Sequence, residues 1–326
     1  MNLANHTYTF ARVPGEHFQI RVPASIANLG PGFDTLAVAV QLYLRLEVEV
    51  LDGHGDLHFR FVNQQLKGEN YIERAFRFLA QQNTIAFPSL RIDVYSEIPM
   101  RAGLGSSAAA TVAGLRLYEA VSLPLPRQAL LNAASALEGH PDNVAAALLG
   151  GLTTSCQLPD GSIYAAAMSW PAALFFIVLT PDKGLATSEA RSVLPRHVSR
   201  TDAVFNLQRL ALLLQSLQSG DFSLLRQALS DRLHQPFRKT LVPGLEQALA
   251  LEHEDLLGIC LSGAGPSIVA FAERNVDSVE RLLSQMYHPL GVPFDVRVLR
   301  AHQAEADSPR QLVNGVSTAH PQELPA

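Results

Sequence analysis

Between Leu42 and Val50 apolar and polar residues alternate strictly, with Leu42, Leu44, Leu46, Val48 and Val50 on one side and Tyr43, Arg45, Glu47 and Glu49 on the other. A period of two predicts a strand with one buried face. Shorter runs over 17–22, 90–96 and 152–156 carry the same signal. Ile72, Ala75, Phe76 and Leu79 instead recur at three- and four-residue intervals, which predicts an amphipathic helix. Helices are also expected over 106–118, where alanine dominates, over 127–137, and over 142–149, the last stopped by Gly150 and Gly151. Strands and helices mix here without a repeating βαβ unit.

Past Trp170 and Pro171 the pattern restarts. An unbroken apolar run over 175–179 has the length of a buried strand. A long helix is expected over 201–218, with Val204, Leu207, Ala211, Leu214 and Leu217 inward, and a second over 222–233. Strands near 258–261, 267–272 and 294–300 flank a helix near 276–286. Strands, then helices, then strands predict an α+β class. The expected division is a loose arm over 1–15, a first domain over 16–170, a second over 171–302, and a tail over 303–326. In that tail Pro309, Gly315, Pro321 and Pro325 interrupt a stretch with no periodicity, so disorder without chemistry is expected.

Composition narrows the function. A net charge of −5 leaves no basic footprint for nucleic acid. The longest apolar run, 172–179, is far too short to span a bilayer. Asn2, Asn5, His6 and Thr7 break up any secretory leader, which predicts a cytoplasmic protein. The two cysteines, Cys156 and Cys260, stand in apolar contexts and read as buried thiols in a reducing compartment. His54 and His58 are four apart but straddle Gly53 and Gly55, which disfavours a helical metal pair.

The chemistry concentrates in a few segments. Pro99-Met100-Arg101-Ala102-Gly103-Leu104-Gly105-Ser106-Ser107-Ala108 feeds two glycines into a helix start. Such a loop points unpaired N–H groups and the positive end of a helix dipole at one spot, which suits a phosphate chain. No Gly-x-x-x-x-Gly-Lys-[Ser/Thr] occurs, which excludes a P-loop NTPase, and no Gly-x-Gly-x-x-Gly follows a strand. The segment 22–34, which ends in Asn28-Leu29-Gly30-Pro31-Gly32-Phe33-Asp34, reads as an ordered loop carrying an amide and a carboxylate, and Leu261-Ser262-Gly263-Ala264-Gly265-Pro266-Ser267 taken alone is a hairpin turn. Glu138-Gly139-His140-Pro141-Asp142-Asn143 packs two carboxylates, an imidazole and an amide between two helices. Asp142 there also has the chemistry of a simple helix cap. Thr187 and Arg191 are four apart, hence on one side of a helical turn.

Taken together, the segment 99–110, the loop at 22–34 and the turn at 261–267 resemble the three motifs of the GHMP kinases, in the right order, over roughly residues 16–302. The first loop and the segment around Glu138 resemble the homoserine kinase branch in particular. The resemblance implies the two-domain GHMP fold, with a ribosomal protein S5 domain 2-like first domain and a ferredoxin-like α+β second domain, in which ATP and acceptor meet in the cleft. It implies ATP bound by Pro99, Arg101, Gly103, Leu104, Gly105, Ser106, Ser107 and Ala108, with Ser262, Gly263, Ala264 and Gly265 as the third motif. Ser107 and Glu138 would hold Mg²⁺, a hard cation that takes oxygen ligands. Asn28, Asp34, His140, Asn143, Arg191 and Arg238 would bind the acceptor, with the two arginines on its carboxylate and Asn28 and Asp34 on its amino group. Asn143, Asp142 and Thr187 would act at the reacting end. No lysine occurs in the three motifs, unlike the mevalonate kinase pattern, so a strong general base is not expected. The implied reaction is phosphorylation of the L-homoserine hydroxyl, a step of threonine biosynthesis, by an alcohol-group phosphotransferase that forms a homodimer. A sister kinase for threonine, shikimate or a mevalonate-type alcohol, and a catalytically silent ligand sensor, remain open alternatives.

Overall fold

The computed structural model describes residues 12–66, 68–83 and 86–303. The first half runs β1 (His17–Ala27), β2 (Leu36–His54), β3 (Leu57–Phe61), α1 (Tyr71–Asn83), β4 (Pro88–Ser96), α2 (Ser106–Val121), α3 (Arg127–Glu138), α4 (Asp142–Leu149), β5 (Leu152–Gln157) and β6 (Ile163–Met168). The second runs β7 (Phe175–Pro181), α5 (Thr187–Ser192), α6 (Arg200–Ser219), α7 (Leu225–Ala228), α8 (Gln235–Arg238), α9 (Leu245–Leu249), β8 (Gly258–Leu261), β9 (Ile268–Ala272), α10 (Val276–Tyr287) and β10 (Phe294–Leu299).

The first sheet has the order β3-β4-β2-β5-β6, with β1 also paired to β2. All its pairs are antiparallel except β3 with β4, which α1 connects as a single βαβ crossover. The alternating face of β2 is buried from Leu42 to Val50, as its period demands. Strands β3 and β6 escape sequence reasoning because each is short and half-exposed. The second sheet has the order β10-β7-β9-β8, all antiparallel. Numbered from β7 this is 4-1-3-2, the ferredoxin-like arrangement expected for the second half.

One hydrophobic core crosses from the first sheet to the second through Trp170, Phe176 and Phe271. The chain end reinforces this junction. Gln41 N donates to Arg300 O at 2.9 Å, His302 N to Ala39 O at 2.8 Å, and Gln303 Nε2 to Trp170 O at 2.8 Å. Gln303 therefore belongs to the folded body, and the rest of the expected tail, 304–326, lies outside the described residues. Of the expected arm, residues 1–11 also lie outside them. Residues 12–15 are tied down, with Gly15 N donating to Val50 O and Arg12 Nε to Ala120 O, both at 2.8 Å.

Three sequence expectations need correction. Helix α6 forms where expected and buries Leu217 as expected, but the rest of its buried face, Asn206, Leu213 and Ser216, differs from the expected one. Leu207 is 65% and Val204 44% exposed, and Ala211 is exposed as well. Polar anchors set the rotation: Asn206 Nδ2 donates to Asp231 Oδ1 at 2.7 Å, and Arg232 N donates to Asn206 Oδ1 at 2.9 Å. The helix expected over 222–233 ends at Ala228, because the Asp231 carboxylate accepts the N–H groups of Leu233, His234 and Gln235 and starts α8 instead. Cys156 is exposed at the end of β5, whereas Cys260 is buried. Among the described residues no helix is long and apolar enough to cross a membrane.

Small residues bring α2 close to its neighbours. A Cβ on Gly114 would lie 2.9 Å from Ala75 Cβ and nearer still to Ile72 O of α1. At Gly103 (φ +77°) a Cβ would lie 2.8 Å from Gly265 O and nearer still to Ser262 O. Gly139 has a similar φ of +81° but nothing within 4 Å. Gly139→Ala should therefore cost only the left-handed backbone penalty, about 1–2 kcal/mol. Gly103→Ala adds a backbone clash and should cost about 2–4 kcal/mol. Urea unfolding of the two variants checks this, and equal losses would mean that the turn around Ser262 yields to the methyl group.

Candidate active site

A cleft of about 900 Å³ lies between the two halves, and the loops flagged from sequence converge on it. Gly105 starts α2 in the left-handed conformation (φ +68°) with no side chain capping the helix. The first amides of a sixteen-residue helix thus open onto the cleft, as anion binding requires. Gly105 is needed there, since a Cβ would lie 3.1 Å from Asn143 Oδ1 and closer to Ser25 Oγ. Arg101, Gly103, Gly105, Ser106 and Ser107 line the cleft. Leu104 and Ala108 do not: both are buried in the core, and Leu104 contributes its carbonyl to Ser25 N. Pro99 also stands off the cleft wall, where Met100 takes its place.

Glu138, the last residue of α3, faces the first turn of α2. Its Oε2 accepts from Ser107 Oγ at 2.7 Å and its Oε1 from Thr111 Oγ1 at 2.8 Å. Thr111 was not legible as a site residue; only its place one helical turn after Ser107 could have signalled it. A carboxylate beside a hydroxyl is an all-oxygen donor pair, which fits Mg²⁺. Among the described residues no cluster of three or more His, Cys, Asp or Glu could hold a metal by itself. The remaining ligands would have to be phosphate oxygens and water, the usual situation for this ion.

After Gly139 the chain turns into α4. Asp142, buried at its first turn, accepts on Oδ1 from His140 Nδ1 (3.0 Å), Asn143 N (2.7 Å) and Asn143 Nδ2 (3.2 Å). It is therefore an anchor within the helix rather than its cap. This bond raises the His140 pKa, against the opposing effect of burial. Asn143 Oδ1 accepts from Ser25 Oγ at 2.7 Å. Ser25, on β1, is a second residue that sequence reasoning missed. With these contacts made, one amide hydrogen of Asn143 remains for a ligand oxygen.

Two guanidinium groups line the other end. Arg191 makes a bidentate pair with Asp34, at 2.6 and 3.0 Å, and Thr187 lines the cleft one turn earlier on α5. Arg238 is 1% exposed, yet no carboxylate touches it. Its Nε donates to Ala190 O (3.1 Å), and its Nη1 to Gly263 O (3.0 Å) and His234 Nδ1 (3.1 Å). Burial foremost, with the nearby Arg191 charge, pushes its pKa down to about 10, so it stays charged at neutral pH. Asn28 lines the cleft, but both ends of its amide are taken: Oδ1 accepts from Asp34 N and Nδ2 donates to Gly263 O. Gly263, Ala264 and Gly265 form part of the wall, while Ser262 is buried behind it and donates to Gly103 O at 2.7 Å.

The GHMP kinases N terminal domain family matches residues 70–151 and the GHMP kinases C terminal family residues 213–288. A homoserine kinase of Solibacter usitatus is 40% identical over 83% of this chain and 90% of its own length. One of Deinococcus radiodurans is 42% identical over 80% and 86%. The crystal structure of homoserine kinase from Cytophaga hutchinsonii superposes with a TM-score of 0.78 at 25% identity, covering 90% of this chain and 97% of that one. Likeness of this depth extends through both halves of the molecule and the cleft between them, and the chain belongs to the homoserine kinase family of the GHMP kinases.

Proposed function

We propose that the protein transfers the γ-phosphoryl group of ATP to the side-chain hydroxyl of L-homoserine, yielding O-phospho-L-homoserine and ADP. The observation that carries this reading is Arg238, a buried cation facing the cleft with only neutral acceptors around it. A buried charge without a counter-ion is costly, and an incoming carboxylate offsets that cost. Asp34 beside Arg191 supplies the opposite charge for an ammonium group. A zwitterion with a terminal hydroxyl suits such a wall, whereas a mevalonate-type alcohol brings no ammonium group for Asp34.

The phosphate chain of ATP is assigned to the Gly103–Ser107 loop. Its base is assigned to the far end of the cleft among Phe61, Leu66, Tyr71 and Met100. Ser107 and Glu138 would hold Mg²⁺, which when bound neutralises charge on the phosphate oxygens. Phosphoryl transfer requires mainly placement and charge stabilisation, and these residues supply both. Asn143, steadied by Ser25 and Asp142, orients the hydroxyl, and Thr187 closes that side. Asp142 serves as the anchor for His140 and Asn143, its Oδ1 already receiving three donors. No lysine lines the cleft among the described residues, in keeping with catalysis by positioning rather than by a strong base.

Glu138→Ala should lower kcat by about 10²-fold or more while the protein stays folded. A coupled ADP-release assay with homoserine and Mg²⁺ measures it, and near-wild-type turnover would remove Glu138 from the metal site. Arg238→Ala should cost about 2–4 kcal/mol in kcat/KM for homoserine. A homoserine analogue lacking its carboxylate should be poor for the wild type and lose little more in the variant, because both changes delete one contact. Full additivity of the two losses, or equal turnover of the analogue by the wild type, would refute the amino-acid reading.

His140 carries a pH signature. Its folded pKa is raised, so its bond to Asp142 contributes fully below the unfolded value and is lost as pH rises through the folded one. The stability gap between wild type and His140→Gln should thus be wider at about pH 6 than at about pH 8.5. Denaturant titration at both values checks the sign, and a gap that widens with pH would contradict it.

A further inference from the structure

We propose that His234, in its neutral Nε2–H form, is the positioning residue of the acceptor site, holding the Arg238 guanidinium in place for the substrate carboxylate. The proposal rests on the homoserine reading above. His234 is completely buried, and its two ring nitrogens face partners of opposite kind. Nδ1 lies 3.1 Å from Arg238 Nη1, and Nε2 lies 2.8 Å from Gly30 O. A guanidinium can only donate and a carbonyl can only accept. Nδ1 must therefore accept and Nε2 must carry the hydrogen, which selects one neutral tautomer. Burial favours that neutral ring, and the Arg238 charge adds to it, against the pull of Asp231.

The ring is held from three directions. Phe33 stacks on it with centroids 5.3 Å apart, and Gly30 O fixes Nε2. Asp231, whose Oδ2 is 3.6 Å from Nε2, spends its oxygens on Asn206 Nδ2 and on the N–H groups of Leu233, His234 and Gln235, pinning the backbone that carries the ring. A carboxylate in the place of His234 would also orient Arg238, but it would neutralise the charge that the substrate is to meet. A neutral imidazole nitrogen orients the guanidinium and leaves its charge available.

The two amide substitutions separate the ring's two contacts. The amide oxygen of His234→Asn reaches the Nδ1 position and can still accept from Arg238, whereas the amide of His234→Gln reaches the Nε2 position and can only keep Gly30. The expected result is a rise of about tenfold or more in KM for homoserine in His234→Gln, with His234→Asn within about threefold of wild type and KM for ATP unchanged in both. A merely structural ring would instead make KM follow the Tm of the two variants. Equal KM values in the pair overturn the proposal. So does a rise in Arg238→Gln with none in His234→Gln, which would leave the homoserine reading intact. A wild type that does not phosphorylate homoserine overturns that reading, and the positioning role with it. Independently of whether the variants fold, nitrogen-15 shifts of His234 in the wild-type protein should report a neutral ring protonated on Nε2 at neutral pH. A doubly protonated ring or the Nδ1–H tautomer would overturn the proposal.

Discussion

The cleft exists because three loops meet with almost no side chain between them. Gly103 lies so near the turn around Ser262 and Gly265 that no Cβ fits, and Gly105 lies equally near Ser25 and Asn143. Main-chain bonds lock this meeting point: Ser25 N to Leu104 O, Gly263 N to Ala27 O, and Ser267 N to Ala102 O. The start of α2, the β1–β2 loop and the β8–β9 turn therefore form one rigid unit. Residues from distant parts of the chain inherit their relative placement from it, which is how a site can be held to the tolerance that catalysis needs. The price is sequence freedom, since the close approaches leave room only for glycine.

Around that junction the cleft is divided electrically. One end offers helix amides and an oxygen pair, Ser107 and Glu138, with Arg74 and Arg101 also on its wall. The other holds two guanidinium groups handled in opposite ways. Arg191 is paired with Asp34 in a half-exposed, bidentate contact, so its charge is largely answered within the protein. Arg238 is buried among neutral acceptors, with Asp34, Asp231 and Asp142 acting on its charge only from beyond contact. The asymmetry gives the acceptor end both a ready-made ion pair and a cation awaiting a partner. Asn28 belongs to the framework of this arrangement, because its amide bridges the first loop to Gly263.

Local pattern was enough for most of the fold. The buried face of β2, the inward positions of α1, the α2 start at Ser106 and the strand positions of the second half all follow from periods and glycines a few residues apart. Expectations failed where a polar group, near or distant, outweighed local hydrophobicity. Asn206 rotated α6 by bonding to Asp231, and Asp231 stopped the helix before it by taking three backbone amides. Short half-exposed strands such as β3 carry too weak a period to be read, and the exposure of Cys156 depends on which face of β5 the sheet covers.

The sequence by itself determined the family, the loops that make the cleft and the chemical type of nearly every group in it, because motif spacing and residue type are local properties. It did not determine which of those groups face the cleft and which hold the others in place. Leu104, Ala108 and Ser262 sit within motifs yet serve the packing, while Ser25, Thr111, Asp231 and His234, none of them expected as site residues, orient Asn143, Glu138 and Arg238. Only the tertiary structure decided that division. A hydrogen bond between residues 118 or 204 positions apart has no signature in either neighbourhood, and burial, which favours the neutral ring of His234 and leaves Arg238 without a carboxylate in contact, is a property of the assembled core.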